Sequence, residues 1–357
     1  MKIAFAGFRH GHIEALYHAA NKHELLDIVA ACEDDEATRK ALIEESNVPT
    51  TIEESRRAEL EANKIELTHH TLDEMLEQVD CDAIAIGDYY SRRGSMAIKA
   101  LKAGKHVIAD KPICTSLSEI EEIETLATEK NLKVGCMFDL RDIPCTIGLK
   151  QIIDNGDLGT IQSVSFGGQH PLMIESRAGW YFEPGKHGGT INDIGIHAID
   201  LIPWIVNSEI DTINAARCWN ANAPEFPHFK DAAQVMLTLE NGCGVIGDVS
   251  YLVPNNLGYS HQFYWRMTFW GTKGVAEVAY NQAHILVAQN GDTKLNKIPL
   301  PAGTPNNYLQ AFVDDINGTP QKDLNTTVVI KSSRKSLEIQ ALAGKGTVKN
   351  SMKKIFS

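Results

Sequence analysis

"MKIAFAGFRHGHIEALYHAA" (residues 1–20) decides the fold of this chain. Lys2–Ala6 is a short apolar run ended by Gly7, and from His12 the apolar residues Ile13, Leu16, Tyr17 and Ala20 recur at helical spacing. Strand, tight turn and helix in that order form the opening unit of a nucleotide-binding α/β fold. The turn Gly7-Phe8-Arg9-His10-Gly11-His12 stands where such folds carry G-x-G-x-x-G. Gly7 keeps the first glycine, which permits the bend. Arg9 takes the second place, where backbone approaches the pyrophosphate, and His12 takes the third, where helix and strand pack closely. Glu33 follows at the end of the next apolar run, about 20 residues beyond the turn, where an acid binds ribose hydroxyls. The helix N-terminus offers N–H groups and a dipole to a phosphate. Arg9 either adds a charge-assisted contact there or fills the space; equally, Arg9 and His12 could only cap and pack the turn.

Working outward, strand and helix patterns keep alternating. Apolar runs at 26–32, 82–87 and 106–109 and the stretch "LKVGCMF" (132–138) read as strands. Helices are expected at 71–78, through "SMAIKALKAGK" (95–105) with its stop at Gly104, and from a capping box of Ser118 and Glu121 to about Asn131. Continuous apolar strands separated by helices predict a parallel sheet covered on both faces. The highly charged segment 54–66 reads as a surface insertion. Beyond residue 140 the strands lengthen and partly alternate. Asn241-Gly242, Asn290-Gly291 and Thr272-Lys273-Gly274 are hairpin signals, and a helix is expected over 189–206. The expectation is α/β: a doubly wound Rossmann domain over 1–140, then an α+β domain over 141–357 with a large, mostly antiparallel open sheet. The end of the chain, "KGTVKNSMKKIFS" (345–357), reads as a basic surface tail.

Composition narrows the partners. The 357 residues are 43% hydrophobic, and 46 acidic against 34 basic residues give a net charge of −12. That balance argues against a nucleic acid or an anionic membrane, although a local field can still oppose it around an anionic ligand. Seven cysteines without a C-x-x-C pair read as reduced thiols of a cytoplasmic protein, and no metal is expected. The first strand starts almost at Met1, which leaves no room for a signal peptide. The most apolar helical stretch, 194–206, contains His197 and Asp200 and is too short to span a bilayer.

Two further stretches carry chemistry. "AGKHVIADKP" (103–112) puts Lys111 and Pro112 at the carboxyl end of a parallel strand, where open α/β sheets build their ligand crevice; that Lys-Pro bond is a candidate cis peptide. In "HGGTINDIGIHAID" (187–200), Asp193 and His197 are four residues apart and share a helix face, with Asp200 three further on. A lone histidine on an apolar helix is more often a satisfied core residue. An Asp and a His at this spacing beside two glycines make a better catalytic candidate. Lys111, Asp193 and His197 then have to converge from two domains.

These stretches resemble the glucose-fructose oxidoreductase and inositol dehydrogenase (Gfo/Idh/MocA) family. "AGKHVIADKP" is similar to its A-G-K-H-V-x-x-E-K-P segment and "GGTINDIGIHAID" to its G-G-x-x-x-D-x-G-x-H-x-x-D helix. "FWGTKGVAEV" and "NNYLQAFVDDINGTP" resemble its G-T-K-G turn and its late F-x-x-x-I-x-x-G helix. The matches are in order and span nearly the whole chain. The resemblance implies a dehydrogenase that moves a hydride between NAD or NADP and a secondary alcohol of a sugar or polyol. Lys111 would hold the alcohol oxygen, His197 would transfer the proton, and Asp193 would orient the substrate or His197. The cofactor would lie along Gly7, Arg9, His10, Gly11, His12, Glu33, Gly87, Asp88, Tyr90, Asp110 and Lys111.

Departures from the family pattern fall on the ligand side. Its E-K-P is Asp110-Lys111-Pro112, its A-T-P-N-H is Gly87-Asp88-Tyr89-Tyr90-Ser91, and its G-G-G is His187-Gly188-Gly189. Glu33 disfavours a 2′-phosphate, which points to NAD over NADP. Substrate contacts are expected from His170, Arg177, Trp180, Tyr181, Lys186 and His187, with packing as the competing role of Trp180 and Tyr181. Aromatic faces and forked donors suit a sugar or polyol, and Arg or Lys could bind a carboxylate. Two other functions fit the resemblance: a glycoside hydrolase that oxidises its sugar transiently on tightly held NAD, and a non-catalytic ligand-binding or regulatory protein. A broad sheet covered on one face points to a homodimer or homotetramer, as does the resemblance.

Overall fold

The computed structural model describes residues 1–45 and 64–345. Most of the charged segment 54–66 and all but the first residue of the tail 345–357 lie outside the described residues. The first sheet is built from β1 (Lys2–Ala6), β2 (Asp27–Cys32), β3 (Ala83–Ile86), β4 (His106–Ala109) and β5 (Val134–Cys136). Their order is β2-β1-β3-β4-β5 and every pairing is parallel. Helices α1 (His12–Asn21), α2 (Glu36–Glu45), α3 (Leu72–Gln78), α4 (Tyr90–Lys102) and α5 (Leu117–Glu129) connect the strands. Ile13, Leu16, Tyr17 and Ala20 are the buried face of α1, as their spacing requires.

One boundary moves. Helix α5 is capped by Ser116, whose hydroxyl accepts from Glu119 N (3.3 Å), and Glu119 Oε2 accepts from Thr115 N (3.3 Å). The capping pair therefore sits two residues before Ser118 and Glu121. The reason is tertiary: the Glu119 carboxylate packs against Gly94 of α4, where a Cβ would come within 2.4 Å of it.

Beyond β5 the chain forms α6 (Pro144–Asp154) and enters the second sheet through β6 (Ile161–Pro171). A π-helical turn (Ile191–Gly195) runs directly into α7 (Ile196–Val206). Strands β7 (Ile210–Trp219), β8 (Ala232–Leu239), β9 (Gly244–Val253), β10 (Trp265–Gly271), β11 (Gly274–Ala279), β12 (His284–Gln289) and β13 (Asn296–Pro299) complete it. The order is β13-β12-β11-β10-β6-β9-β8-β7, antiparallel except for β6 beside β9. Asn241-Gly242 turns β8 into β9, Thr272-Lys273 joins β10 to β11, and Asn290-Gly291 begins the link from β12 to β13.

Two last helices, α8 (Asn307–Ile316) and α9 (Thr326–Gly344), return to the first sheet. Phe312 of α8 packs so closely on β5 that a Cβ at Gly135 would lie 2.8 Å from its ring. Helix α9 touches β5 and β7 and so ties the two sheets together. On the other face of the large sheet, Met236 (50% exposed), Ile246 (64%) and Trp270 (43%) face solvent. Among the described residues no helix is long and apolar enough to cross a membrane.

Candidate active site between the two sheets

The carboxyl ends of β1, β3 and β4 deliver the opening turn, Gly87-Asp88 and Asp110-Lys111 to one edge of the first sheet. Gly7 has φ +79°, and a Cβ there would sit 2.8 Å from that of Asp88. The close helix–strand approach that a third motif glycine normally permits is supplied from the opposite side, because a Cβ at Gly87 would strike Ile13 at 2.2 Å. His12 can therefore occupy the third position, with its side chain 51% exposed.

The side of the turn next to β2 is acidic and heavily bonded. Glu33 is buried, and its Oε2 accepts from Phe8 N at 2.6 Å while Oε1 accepts from Asp35 N at 2.8 Å. Arg9 reaches Glu33 (Nε–Oε1 3.2 Å), Asp34 and Asp88 (Nη1–Oδ1 3.5 Å). Arg92 of α4 pairs with Asp34 and with Asp88 (2.9 Å). Trp180, on a short 3₁₀ turn (Gly179–Phe182), donates from Nε1 to Arg9 O at 3.0 Å. That tryptophan seals the turn and does not line the adjoining cavity.

Asp110 is the second hub. It accepts from His10 Nδ1 (2.6 Å), His12 Nδ1 (3.1 Å) and Arg93 Nη2 (2.7 Å). Burial alone would raise its carboxyl, but Arg93 and the two imidazoles hold it well below the usual range. Burial pushes His10 down to about 3, so its ring is neutral at pH 7 and donates an ordinary hydrogen bond from Nδ1. The ligand atoms of His10, His12 and Asp110 lie within 4.8 Å of one another, close enough to share a metal ion. Arg93, wholly buried on the same carboxylate, already supplies positive charge there.

Asp193 is the third hub and the centre of the site. Lys111 Nζ donates to its Oδ1 (2.8 Å) and to its carbonyl (3.0 Å). Tyr90 Oη donates to Oδ1 (2.8 Å), Tyr251 Oη bonds Oδ2, and His187 Nε2 lies 3.3 Å from Oδ2. Burial opposes the Asp193 charge, yet Lys111 and His187 hold the group well below the usual carboxylate range. Tyr90 Oη also lies 2.7 Å from Tyr181 Oη, which is 3.1 Å from His10 Nε2. A continuous hydrogen-bonded path thus joins Asp193 to Asp110 and half-exposed His12. The Lys111–Pro112 peptide is cis.

Local structure explains how Asp193 gets there. Gly188 and Gly189 have φ +77° and +101°, and a Cβ at Gly189 would meet the Gln340 amide at 2.2 Å. Gln340 Oε1 in turn accepts from Ile191 N (2.9 Å) and Asn192 N (3.3 Å), capping the π turn from helix α9. Asp193 and His197 both line one cavity of about 250 Å³, together with Lys111, Tyr90 and Tyr181. Asp193 does not orient His197, however; that imidazole pairs only loosely with Asp139 (Nδ1–Oδ1 3.8 Å). Burial, with Lys111 and His170 nearby, keeps His197 well below its usual pKa and therefore neutral. Asp200 lies outside the site, in an ion pair with Arg141 (2.6 Å).

Of the other residues expected near substrate, His170, Arg177 and Tyr181 line the cavity. His187 stands behind Asp193, and Lys186 pairs with Glu183 (2.5 Å). The sequence reading missed Tyr251, Tyr259, Tyr264 and Asp139, all in the cavity wall. For Tyr251 a signal existed: the period of two along β9 puts it on the buried face with Val245 and Val249, opposite Ile246 and Leu252.

Comparison with known proteins agrees with this architecture. Residues 1–138 match the oxidoreductase family with an NAD-binding Rossmann fold, and residues 147–277 match the Gfo/Idh/MocA C-terminal domain. The chain is 29% identical over 224 residues to the uncharacterized oxidoreductase YrbE of Bacillus subtilis, covering 60% of each chain. It is 26% identical over 192 residues to inositol 2-dehydrogenase 2 of Saccharopolyspora erythraea, covering 52% of each. The matches thus span about half to three fifths of these curated relatives. Among solved structures, the aldose-aldose oxidoreductase of Caulobacter crescentus complexed with glycerol shares the fold, with a TM-score of 0.74 at 18% identity over 97% of this chain and 98% of that one.

Proposed function

The chain belongs to the Gfo/Idh/MocA oxidoreductase family, and from that premise we propose that it is an NAD-dependent dehydrogenase of a secondary alcohol on a small sugar- or polyol-like substrate. The observation that carries the proposal is the convergence of Lys111, Tyr90 and Tyr251 on buried Asp193, with neutral His197 on the same cavity wall. The names of related dehydrogenases, inositol 2-dehydrogenase 2 among them, support the substrate class.

The opening turn fits a dinucleotide. Gly11, the N-cap of helix α1, leaves its first turn without a side-chain cap, and a Cβ there would meet nothing within 4 Å, so the helix N-terminus is open to a pyrophosphate. Glu33 stands ready for ribose hydroxyls once Arg9 Nε releases it. Glu33, Asp34 and Asp88 together would repel a 2′-phosphate, which favours NAD over NADP. Bound NAD supplies the hydride acceptor, so the carbinol carbon loses its hydride while the hydroxyl loses its proton. Lys111 Nζ donates to the alcohol oxygen and stabilises its developing negative charge. Asp193 holds that ammonium in place, and Tyr90 and Tyr251 fix the carboxylate. His197 accepts the hydroxyl proton on its neutral imidazole. The solvent-facing Met236, Ile246 and Trp270 of the large sheet support assembly as a homodimer or homotetramer.

Calorimetric titration of nucleotide-stripped protein with NAD, NADH, NADP and NADPH tests the first half, and NADH formation over a polyol and sugar panel tests the second. NAD is expected to bind more tightly than NADP. Lys111→Ala should lower kcat by about a hundredfold or more while NAD affinity stays within a few fold. Failure of folded protein to bind any of the four nucleotides would overturn the reading.

A further inference from the structure

The cavity wall holds two cations in different states. Lys111 is matched by Asp193 at 2.8 Å. Arg177 has no carboxylate within ion-pair distance among the described residues, although it is half-buried. Its guanidinium is anchored on one side only. Nε donates to Leu172 O (2.9 Å), and Nη2 donates to Pro171 O (2.9 Å) and to Tyr259 Oη (3.4 Å). Nη1 makes no hydrogen bond to a described residue, so both its hydrogens remain available. The plane lies over the rings of Tyr181 (4.8 Å) and Tyr251 (5.4 Å), which fixes the fork without neutralising it.

A second group points the same way. His170 Nδ1 is buried in the same wall without a hydrogen-bond partner, and burial pushes this histidine down to about 3, which leaves the ring neutral. The neutral ring lines the cavity without adding a charge that would compete with the Arg177 fork. We propose that the substrate carries a carboxylate, seated on Arg177 with His170 beside it, while its alcohol lies at Lys111. The inference rests on the dehydrogenase reading for the place of the alcohol, but not for the charge preference.

Charge decides between a carboxylate and a phosphate ester. Arg177 is the one lysine or arginine without a carboxylate partner among the described cavity residues. One forked cation suits a monoanion; a phosphate dianion would need a second. At about 250 Å³ the cavity falls just below the range of drug-sized pockets, a size that fits a small hydroxy acid.

The test is equilibrium binding to the full chain, with and without saturating NAD. Gluconate and xylonate are titrated against glucitol and xylitol, with glucitol 6-phosphate as the phosphate arm. The carboxylates should bind about tenfold or more tightly than their matched polyols and more tightly than the phosphate. Arg177→Gln should abolish that preference, and Arg177→Lys should restore part of it, which also guards against a Gln variant that fails to fold. Equal or better binding of the neutral polyols, preference for the phosphate, no carboxylate binding, or a preference that survives in Arg177→Gln would each overturn the inference. Carboxylate preference in a protein that binds no NAD would sink the dehydrogenase reading alone.

Discussion

At Arg9 one guanidinium meets three carboxylates, Glu33, Asp34 and Asp88, and Arg92 is the second cation of the group. Without Arg9, a pyrophosphate arriving at the helix N-terminus would face that acidic cluster with one cation fewer. Arg9→Ala should therefore weaken NAD binding about tenfold at low salt, or about 1.4 kcal/mol, and by less as salt screens the partly exposed pair. Calorimetry at two ionic strengths measures both. Tighter binding by the variant would mean that Arg9 instead occupies the phosphate space. The sequence spacing located Gly7, Arg9 and Glu33, because the turn and the strand after it are local. It was silent on what Arg9 touches, since Asp34 and Asp88 come from the ends of two different strands. The same limit hid the role of His10 and His12: both bond Asp110, roughly a hundred residues away, whose place is fixed by β4 pairing with β3.

The element that decides the site is the π turn and the helix it feeds. A π-helical turn within a helix often marks a functional position, and here it sets Asp193 on Lys111 instead of on His197. The paired glycines signalled an unusual lead-in, and the Asp193–His197 spacing signalled a shared wall. The cap itself was illegible, because Gln340 belongs to α9, about 150 residues later. Gly189→Ala faces two costs, a φ of +101° and a Cβ 2.2 Å from the Gln340 amide. It should destabilise the protein by about 2–4 kcal/mol. Gln340→Ala, which leaves Ile191 N and Asn192 N uncapped, should cost about 1 kcal/mol. Urea unfolding of both single variants and of the pair is the measurement. The pair should cost less than the sum, because removing Gln340 removes the clash while the backbone strain stays. Strict additivity would show that Gln340 does not press on Gly189.

On the scale of the whole molecule, the alternating strands and helices of the first half and the hairpin signals of the second were enough to read both sheets. The return of α8 and α9 to the first sheet was not readable, because burial of Phe312 on β5 is a long-range contact that no local pattern encodes. That return leaves helices against one face of the large sheet, while Met236, Ile246 and Trp270 face solvent on the other among the described residues. Met236 and Ile246 are register partners on β8 and β9, and Trp270 presents its ring from β10 on the same open side. Leaving such a patch in water forfeits about 25 cal/mol for each Å² of apolar surface that a second copy would cover. A two-fold pairing of this face on itself would bury both copies of each of these side chains. Ile246→Glu places a charge at the centre of the patch without touching the cavity side of β9, where Tyr251 holds Asp193. Sedimentation velocity should therefore show the native chain as a dimer or larger and the variant shifted towards monomer, with NAD affinity unchanged within a few fold. A native chain that sediments as a monomer at micromolar concentration would leave the open face to some other covering and end the case for self-association through it.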